Sequence, residues 1–457
     1  MDWTPTISDR NGPLYERIVA ALADDITDGR LRRGQQLPTH RTLAKALAVD
    51  LSTVTRAYRE ARQRGLIDAR VGQGTFVAES MAQLRHADAP RAAFDLSMNL
   101  PPQPLDADLE GRISRGMAAI SKEEGLSHYL NYREPRGLPE ERDTAADWLR
   151  GRLPQAAGDR VVICPGTQCA LTLTLHTVTK PGDVVLTEAL TYPGAKAAAA
   201  YAGVQLTGVA TDEAGIVPDA LRAAIRRHKP KALYLVPTIQ NPTTVTMPPK
   251  RRDAIAEILR EADVPLIEDD AYGLLEPDVT PLAVRLADNT YYMASLSKCI
   301  APGLRMSFLL APDRAAAAVL SDALRAVAQM SAPLMIALVT RWLCDGSADA
   351  IIAAIREEAM ARQKLAATVL GGFTYAARPA GHHIWLPLPR NWTSNALVAH
   401  VQRQGLAVVS SDAFAVGGEA PNAIRIALGA AASRNELASA LGVLVTALRS
   451  PQHAAIV

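Results

Sequence analysis

The sequence predicts a multidomain protein: a small, mainly α module with a β-hairpin, followed by a larger α/β module with a mostly parallel sheet. Three observations carry this expectation. The chain has 457 residues, more than one ordinary core accommodates. Charge is uneven: ten Arg and Lys face three Asp and Glu between Arg30 and Arg70, giving +7 on 41 residues, whereas the whole chain carries +2. After Leu149, short apolar runs alternate with helix-length segments.

The bulk composition is that of a folded protein, with 48% hydrophobic and 21% charged residues, which argues against long disorder. No apolar run reaches the ~18 residues of a membrane-spanning helix. Met1-Asp2-Trp3-Thr4 lacks the basic and apolar regions of a signal peptide. Cys164, Cys169, Cys299 and Cys344 show neither metal-type nor redox-type spacing, so reduced, packed thiols in a cytoplasmic protein are expected.

In the first module, Leu14, Ile18, Leu22 and Ile26 recur every four residues and predict a helix over 14–28. Thr39 can cap a second, short helix containing Leu43, Ala44 and Leu47. The turn Val49-Asp50-Leu51-Ser52 leads into a third helix, predicted from about Thr53 to Arg64 and stopped by Gly65. Two helices joined by so short a turn suit a helix-turn-helix. Leu66–Ala69 and Thr75–Val77, around Gly72-Gln73-Gly74, read as a hairpin, the wing of a winged helix.

The ordered set Asp28-Gly29-Arg30-Leu31, Gly34-Gln35-Gln36-Leu37-Pro38-Thr39, Arg41-Thr42-Leu43-Ala44, Thr53-Val54-Thr55-Arg56-Ala57-Tyr58 and Gly72–Val77 resembles the GntR family of bacterial DNA-binding domains. Two positions depart from it: Leu51 stands where Arg is frequent just before the recognition helix, and His40 where Glu is frequent. The resemblance implies binding to double-stranded DNA, with Arg41, Thr53, Arg56 and Gly74 as candidate contacts. Arg56 can reach a base or a phosphate, Thr53 a phosphate, and Gly74 permits close backbone approach. This module is expected over 1–80 and a linker over 81–93, where periodicity is weak.

In the second module, 94–457, ligands are expected at the carboxyl ends of the strands. Lys298 lies in Ser295-Leu296-Ser297-Lys298-Cys299-Ile300-Ala301-Pro302-Gly303-Leu304-Arg305, between two strand-like runs. A lysine so placed can lose its proton and attack a carbonyl; the hydroxyls and Arg305 suit a phosphate. Other strand ends carry Pro165-Gly166-Thr167-Gln168 at a helix start, a phosphate cradle; Tyr192, an aromatic that can stack on a flat ligand; Asn241 before a proline; and Glu268-Asp269-Asp270-Ala271-Tyr272-Gly273. Three acids there are costly unless they face solvent or a cation, such as a protonated ring nitrogen.

Together these motifs resemble the fold-type I pyridoxal-phosphate enzymes, the aspartate aminotransferase superfamily. The resemblance implies pyridoxal 5'-phosphate as cofactor, Lys298 as its Schiff-base partner and Asp269 on its ring nitrogen. Asp269 is preferred to Asp270 because the family pattern Asp-x-x-Tyr ends here at Tyr272. It further implies Tyr272 and Asn241 on the phenolic oxygen, Tyr192 stacked on the ring, and Thr167, Gln168, Ser295, Ser297 and Arg305 on the phosphate. Tyr132, within Leu130–Glu140, would reach the neighbouring subunit's phosphate, which implies a homodimer. Arg425, in Asn422–Leu428, would clamp a substrate carboxylate. His382 and His383 fall near where substrates enter in this family, with touching an effector and serving structure both open; Cys299 is expected to be packed.

A GntR-like winged helix ahead of a fold-type I aminotransferase-like domain is the architecture of the MocR subfamily of transcription regulators. The function this implies is a regulator that captures an amine or amino acid as an external aldimine at Lys298 and changes its DNA binding in response. Two alternatives stay open: an active aminotransferase with an accessory DNA-binding domain, since the residues for half-transamination are present, and a sensor of pyridoxal phosphate itself.

Overall fold

A computed structural model describes residues 3–5, 13–27, 30–31, 34–63, 66–70, 74–77, 93–123 and 125–450. The chain forms two compact units, Met1–Arg91 and Ala92–Val457.

In the first unit, α1 (Leu14–Thr27) buries Ile18 and Leu22, as its four-residue apolar spacing requires. Helix α2 (His40–Leu47) is capped by Thr39, whose hydroxyl accepts from the Thr42 N–H at 3.2 Å. It ends where Ala48 turns left-handed at φ 53°. Helix α3 (Leu51–Gln63) starts two residues earlier than the sequence predicts. The reason is a cap: the Asp50 carboxylate accepts from the Ser52 N–H at 2.8 Å, and hydrogen bonds from Ser52 hold its pKa below the ordinary value. The turn therefore shortens to Ala48–Asp50, and Leu51 stands inside the helix, partly exposed, rather than before it.

Val54, Ala57, Tyr58 and Ala61 of α3 pack with Leu22 and Leu43 in one core. His40 sets its ring edge-on to Tyr58 at 4.7 Å, so this departure from the family pattern helps tie α2 to α3. Strands β1 (Ile67–Arg70) and β2 (Gly74–Val77) form the expected hairpin, with Ile67 opposite Val77 and Arg70 opposite Gly74. The wing tip at Gly72-Gln73, the stop at Gly65 and the linker up to residue 92 lie outside the described residues.

The second unit is layered on a seven-stranded sheet. In chain order its elements are β3 (Val161–Cys164), α4 (Thr167–Val178), β4 (Val184–Glu188), α5 (Pro193–Tyr201), β5 (Gln205–Val209), β6 (Ala232–Leu235), α6 (Pro249–Ala262), β7 (Leu266–Asp269), β8 (Thr290–Ser295) and β9 (Ser307–Leu310). The spatial order is β3-β9-β8-β7-β6-β4-β5, parallel except for β9, which runs antiparallel to both β8 and β3. Strands β3, β6, β7, β8 and β9 are buried at every position, which is why they read as continuous apolar runs. Edge strand β5 is not predicted by the sequence reading; with Gln205 exposed and Gly208 inside it, its pattern is that of a polar segment.

Strand β7 extends through Asp269, so Glu268 and Asp269 close the strand and Asp270 follows it. A smaller antiparallel sheet contains β10 (Ala376–Ala377), β11 (His383–Pro387), β12 (Val409–Ser410) and β13 (Ala423–Ala427), in the order β10-β11-β13-β12.

The sequence leads one to expect the three adjacent acids to face solvent or a cation; all three are buried, and two of them, Glu268 and Asp270, face a guanidinium. Each has its own partners. Glu268 accepts from the Leu282 and Ala283 N–H groups at 2.9 and 2.6 Å and lies 3.6 Å from the Arg252 guanidinium. Asp270 pairs with Arg152 at 2.8 Å and accepts from the Tyr292 hydroxyl at 2.6 Å. Removing a partner from so buried a carboxylate leaves an uncompensated charge. Arg152→Met is therefore expected to lower the unfolding free energy of this unit by about 3–5 kcal/mol, read by denaturant titration.

Candidate functional site

Strand order brings the carboxyl ends of β3, β4, β6, β7 and β8 to one edge of the sheet, and antiparallel β9 starts at that same edge, with Ser307 opposite both Ser295 and Cys164. A cavity of about 130 Å³ opens there. Its lining includes Thr167, Gln168, Tyr192, Asn241, Asp269, Tyr272, Ser295, Ser297, Lys298 and Arg305, ten of the residues predicted from the sequence. Val236, Ala271 and Pro302 complete it.

At one end the cavity meets the N-terminus of α4. The first N–H groups of a helix lack intrahelical partners and attract anions. Gly166 precedes them at φ 90°, and a Cβ there would stand 2.7 Å from an Arg305 nitrogen. Glycine is thus required both by the backbone and by the close approach of the guanidinium. Arg305 donates to the Pro165 carbonyl at 3.1 Å, which holds it over this end. Ser295 Oγ accepts from the Ser297 N–H at 3.2 Å, tying the two hydroxyl-bearing residues into one turn.

At the other end, Asp269 accepts from the Tyr234 hydroxyl at 2.9 Å through Oδ2, while its buried Oδ1 has no hydrogen-bond partner among the described residues. Burial, with the neighbouring Asp270 charge, pushes its pKa up to about 6. A half-paired, buried carboxylate calls for a donor or cation from a ligand. Lys298 Nζ donates to the Asn99 backbone carbonyl at 2.6 Å. Burial, and then the Arg425 charge, bring its pKa down to about 8, within reach of the neutral, nucleophilic form.

Arg425, on β13, does not line the cavity but stands behind it. It is buried, donates to Asn241 Oδ1 at 3.0 Å and to the Ser97 carbonyl, and keeps Nε unpartnered. Because Asn241 Oδ1 is occupied in this way, its NH₂ is the group left for a ligand. Tyr132 is exposed and away from the cavity of its own chain. His382 and His383 are buried and stay off the lining. Burial lowers their pKa values to about 4 and about 3. His382 Nε2 lies 2.7 Å from the Lys298 carbonyl, so it fixes the lysine loop. Cys299 is packed, with its thiol pushed up to about 12 by burial.

Asn99 and Tyr234 are site neighbours that the sequence reading missed. Asn99 lies 199 residues from Lys298, and nothing local marks it. Tyr234 reads as one more apolar strand residue.

In the first unit, Thr53 and Arg56 line an open cleft of about 910 Å³ together with Arg59 and Tyr15. The Arg56 guanidinium sits 4.0 Å over the Tyr15 ring and donates to its hydroxyl at 3.4 Å, so its direction is set before any ligand arrives. Arg41 is exposed on α2 outside that cleft. Gly74 also stands outside it; its φ of 112° accounts for glycine there.

Comparison with known proteins places both units. Residues 96–444 match the aminotransferase class I and II family, and residues 14–77 match the gntR family of bacterial regulatory proteins. The vitamin B6 salvage pathway transcriptional repressor PtsJ of Salmonella typhimurium is 30% identical, over 89% of this chain and 92% of that protein. The chain belongs to the MocR-type regulators.

An uncharacterized HTH-type transcriptional regulator of Bacillus subtilis, YdeF, is 29% identical over 97% of this chain and 96% of its own length. Among solved structures, the α-aminoadipate aminotransferase LysN of Thermus thermophilus, complexed with N-(5'-phosphopyridoxyl)-L-leucine, superposes with a TM-score of 0.71 at 24% identity, over 86% of this chain and 98% of that one. As a MocR-type regulator the protein binds DNA through its gntR unit. Its cofactor is pyridoxal 5'-phosphate, which the donor set fits: an anion cradle at Arg305 and α4, an unpaired acceptor at Asp269 Oδ1 and an amine of lowered pKa between them.

The lowered Lys298 pKa has a direct readout. In competitive acetylation of the cofactor-free chain, followed by mass spectrometry, the Lys298 peptide is expected to reach half its limiting reactivity near pH 8. Exposed lysines should keep gaining reactivity to about pH 10.4.

Proposed function

We propose that this regulator reads an amine or amino acid through pyridoxal phosphate held at Lys298 and alters its DNA binding accordingly. The observation that carries the reading is the amine of Lys298, desolvated and set between an anion cradle and a half-paired carboxylate.

When bound, pyridoxal phosphate supplies an aldehyde that condenses with amines and a ring that withdraws electrons. The chain's residues then have distinct tasks. Lys298 would be the nucleophile toward that aldehyde and a base within reach. Asp269 Oδ1 would accept from the ring nitrogen and favour its protonated form. Asn241, through its NH₂, and Tyr272 would donate to the phenolic oxygen, and Tyr192 would cover the ring face. Thr167, Gln168, Ser295, Ser297 and Arg305 would hold the phosphate. Arg425 receives the effector's carboxylate once the Asn241 and Ser97 oxygens give way.

Tyr132 completes the phosphate site of a second subunit. The exposed side chains of Leu105, Leu130 and Tyr132, each more than 80% accessible, support a homodimer that covers them. In the gntR unit, Arg56 and Thr53 contact DNA from the cleft, with Arg41 and Gly74 at its margins.

The name of PtsJ favours a second reading, in which the cofactor itself is the signal. One experiment separates the two. Binding of the purified chain to its own upstream DNA is measured by fluorescence anisotropy, with and without pyridoxal phosphate, and with a panel of amines and amino acids. Affinity is expected to respond to an amine only when the cofactor is present. Lys298→Ala should still bind DNA but lose that response, and Arg56→Ala should weaken binding by about 1–3 kcal/mol. A response to cofactor alone favours the second reading, and an undiminished amine response in Lys298→Ala contradicts both.

A further inference from the structure

Asn99 touches two residues of the cavity and one histidine behind it. Its Nδ2 lies 2.7 Å from the Tyr272 hydroxyl and 3.0 Å from His383 Nδ1. Its backbone carbonyl accepts from Lys298 Nζ at 2.6 Å. Which way each proton points follows from a group that has no choice. His383 Nε2 lies 3.1 Å from the Gln240 carbonyl, and a carbonyl can only accept. Nε2 therefore carries the hydrogen.

Burial keeps His383 neutral, so Nδ1 is a bare lone pair. That lone pair must face a donor, which sets the Asn99 amide with its NH₂ toward His383. Reversing the amide would put Oδ1 against the lone pair. The buried Oδ1 is then left without a partner among the described residues. The second N–H of Asn99 then points at Tyr272, whose hydroxyl becomes the acceptor of this bond. The phenolic proton of Tyr272 must be donated elsewhere, and Tyr272 lines the cavity.

We propose that Asn99, keyed by His383 and the Gln240 carbonyl, is a positioning residue that fixes Tyr272 as a hydrogen-bond donor into the cavity. This rests on the reading of the cavity as the pyridoxal phosphate site. Burial raises the Tyr272 pKa, so the phenol keeps the proton it is to donate. A bond donated to the phenolic oxygen of a bound cofactor would draw charge from it and would lower the proton affinity of the Lys298 nitrogen.

The test is a pH titration of the visible absorbance of the full chain loaded with pyridoxal phosphate, in the wild type, Tyr272→Phe, Asn99→Asp, Asn99→Ala and the two double variants with Tyr272→Phe. Tyr272→Phe is expected to raise the titration midpoint by about one unit, a tenfold change in proton affinity. Asn99→Asp, which can only accept from Tyr272 and turns its proton away from the cavity, should raise it by a similar amount. Asn99→Ala should raise it less. In the Tyr272→Phe background neither Asn99 change should move the midpoint much further.

A packing role would make Ala more harmful than Asp, and a simple charge effect of Asp would persist in the Tyr272→Phe background; either result overturns the proposal. So does a wild-type midpoint in both Asn99 variants. If Asn99→Asp does not fold, Asn99→Ala with its double variant still decides, because a shift that persists without the Tyr272 hydroxyl does not run through it. A wild-type chain that takes up no chromophore overturns the cofactor reading itself, and the proposal with it.

Discussion

Three consecutive carboxylates are buried where β7 ends, and much of the second unit serves to keep them electrically apart. Successive side chains of a strand leave on opposite faces, so Glu268 and Asp270 share one side and Asp269 takes the other. On the shared side stand Arg252, the Leu282 and Ala283 N–H groups, Arg152 and Tyr292. These partners let two carboxylates sit beside a third without collapsing its charge. Asp269 meets no arginine among the described residues; the Tyr234 hydroxyl meets its Oδ2, and Oδ1, on the cavity side, is left for a ligand. Breaking the partners on the far side would thus disturb the site as well as the fold.

The same economy of partners runs through the rest of the cavity. Asn241 has its oxygen engaged by Arg425, so a donor remains. Desolvation brings the Lys298 pKa down to about 8, and a backbone carbonyl holds the amine in place. Arg305 and Gly166 approach so closely that no side chain fits between them. Each group is paired on the protein side and open on the ligand side. This prepares the site for a flat, phosphorylated, cationic ring, and nothing in it distinguishes starting a reaction from detecting an amine. The regulatory role of the chain is carried by the gntR unit covalently attached to it.

Most of this site is legible in the amino-acid sequence, because its residues sit in short motifs directly after strands. Pro165–Gln168, Asn241-Pro242, Asp269–Tyr272 and Ser295–Arg305 each keep their meaning within a few residues. The rest depends on long-range contact. Asn99 meets Tyr272 across 173 residues and His383 across 284, and no periodicity connects them. The arginines that meet the flanking acids are equally invisible to local pattern, so the sequence calls for solvent or a cation without saying which group supplies it. In the first unit the start of α3 is misplaced for a local reason: Asp50 caps the helix, and apolar Leu51 gives no sign that the helix has begun. The candidate DNA contacts divide along similar lines. Arg56 and Thr53 come together in a cleft, whereas Arg41 and Gly74 stand apart from it.

The central claim is that one lysine of this chain carries the cofactor. Reduction of the pyridoxal-phosphate-loaded protein with borohydride, followed by proteolysis and peptide mass mapping, tests it most directly. The expected result is a stable phosphopyridoxyl adduct on the peptide that contains Lys298 and on no other lysine. An adduct on a different lysine, or none while the bound chromophore is lost on denaturation, would contradict it.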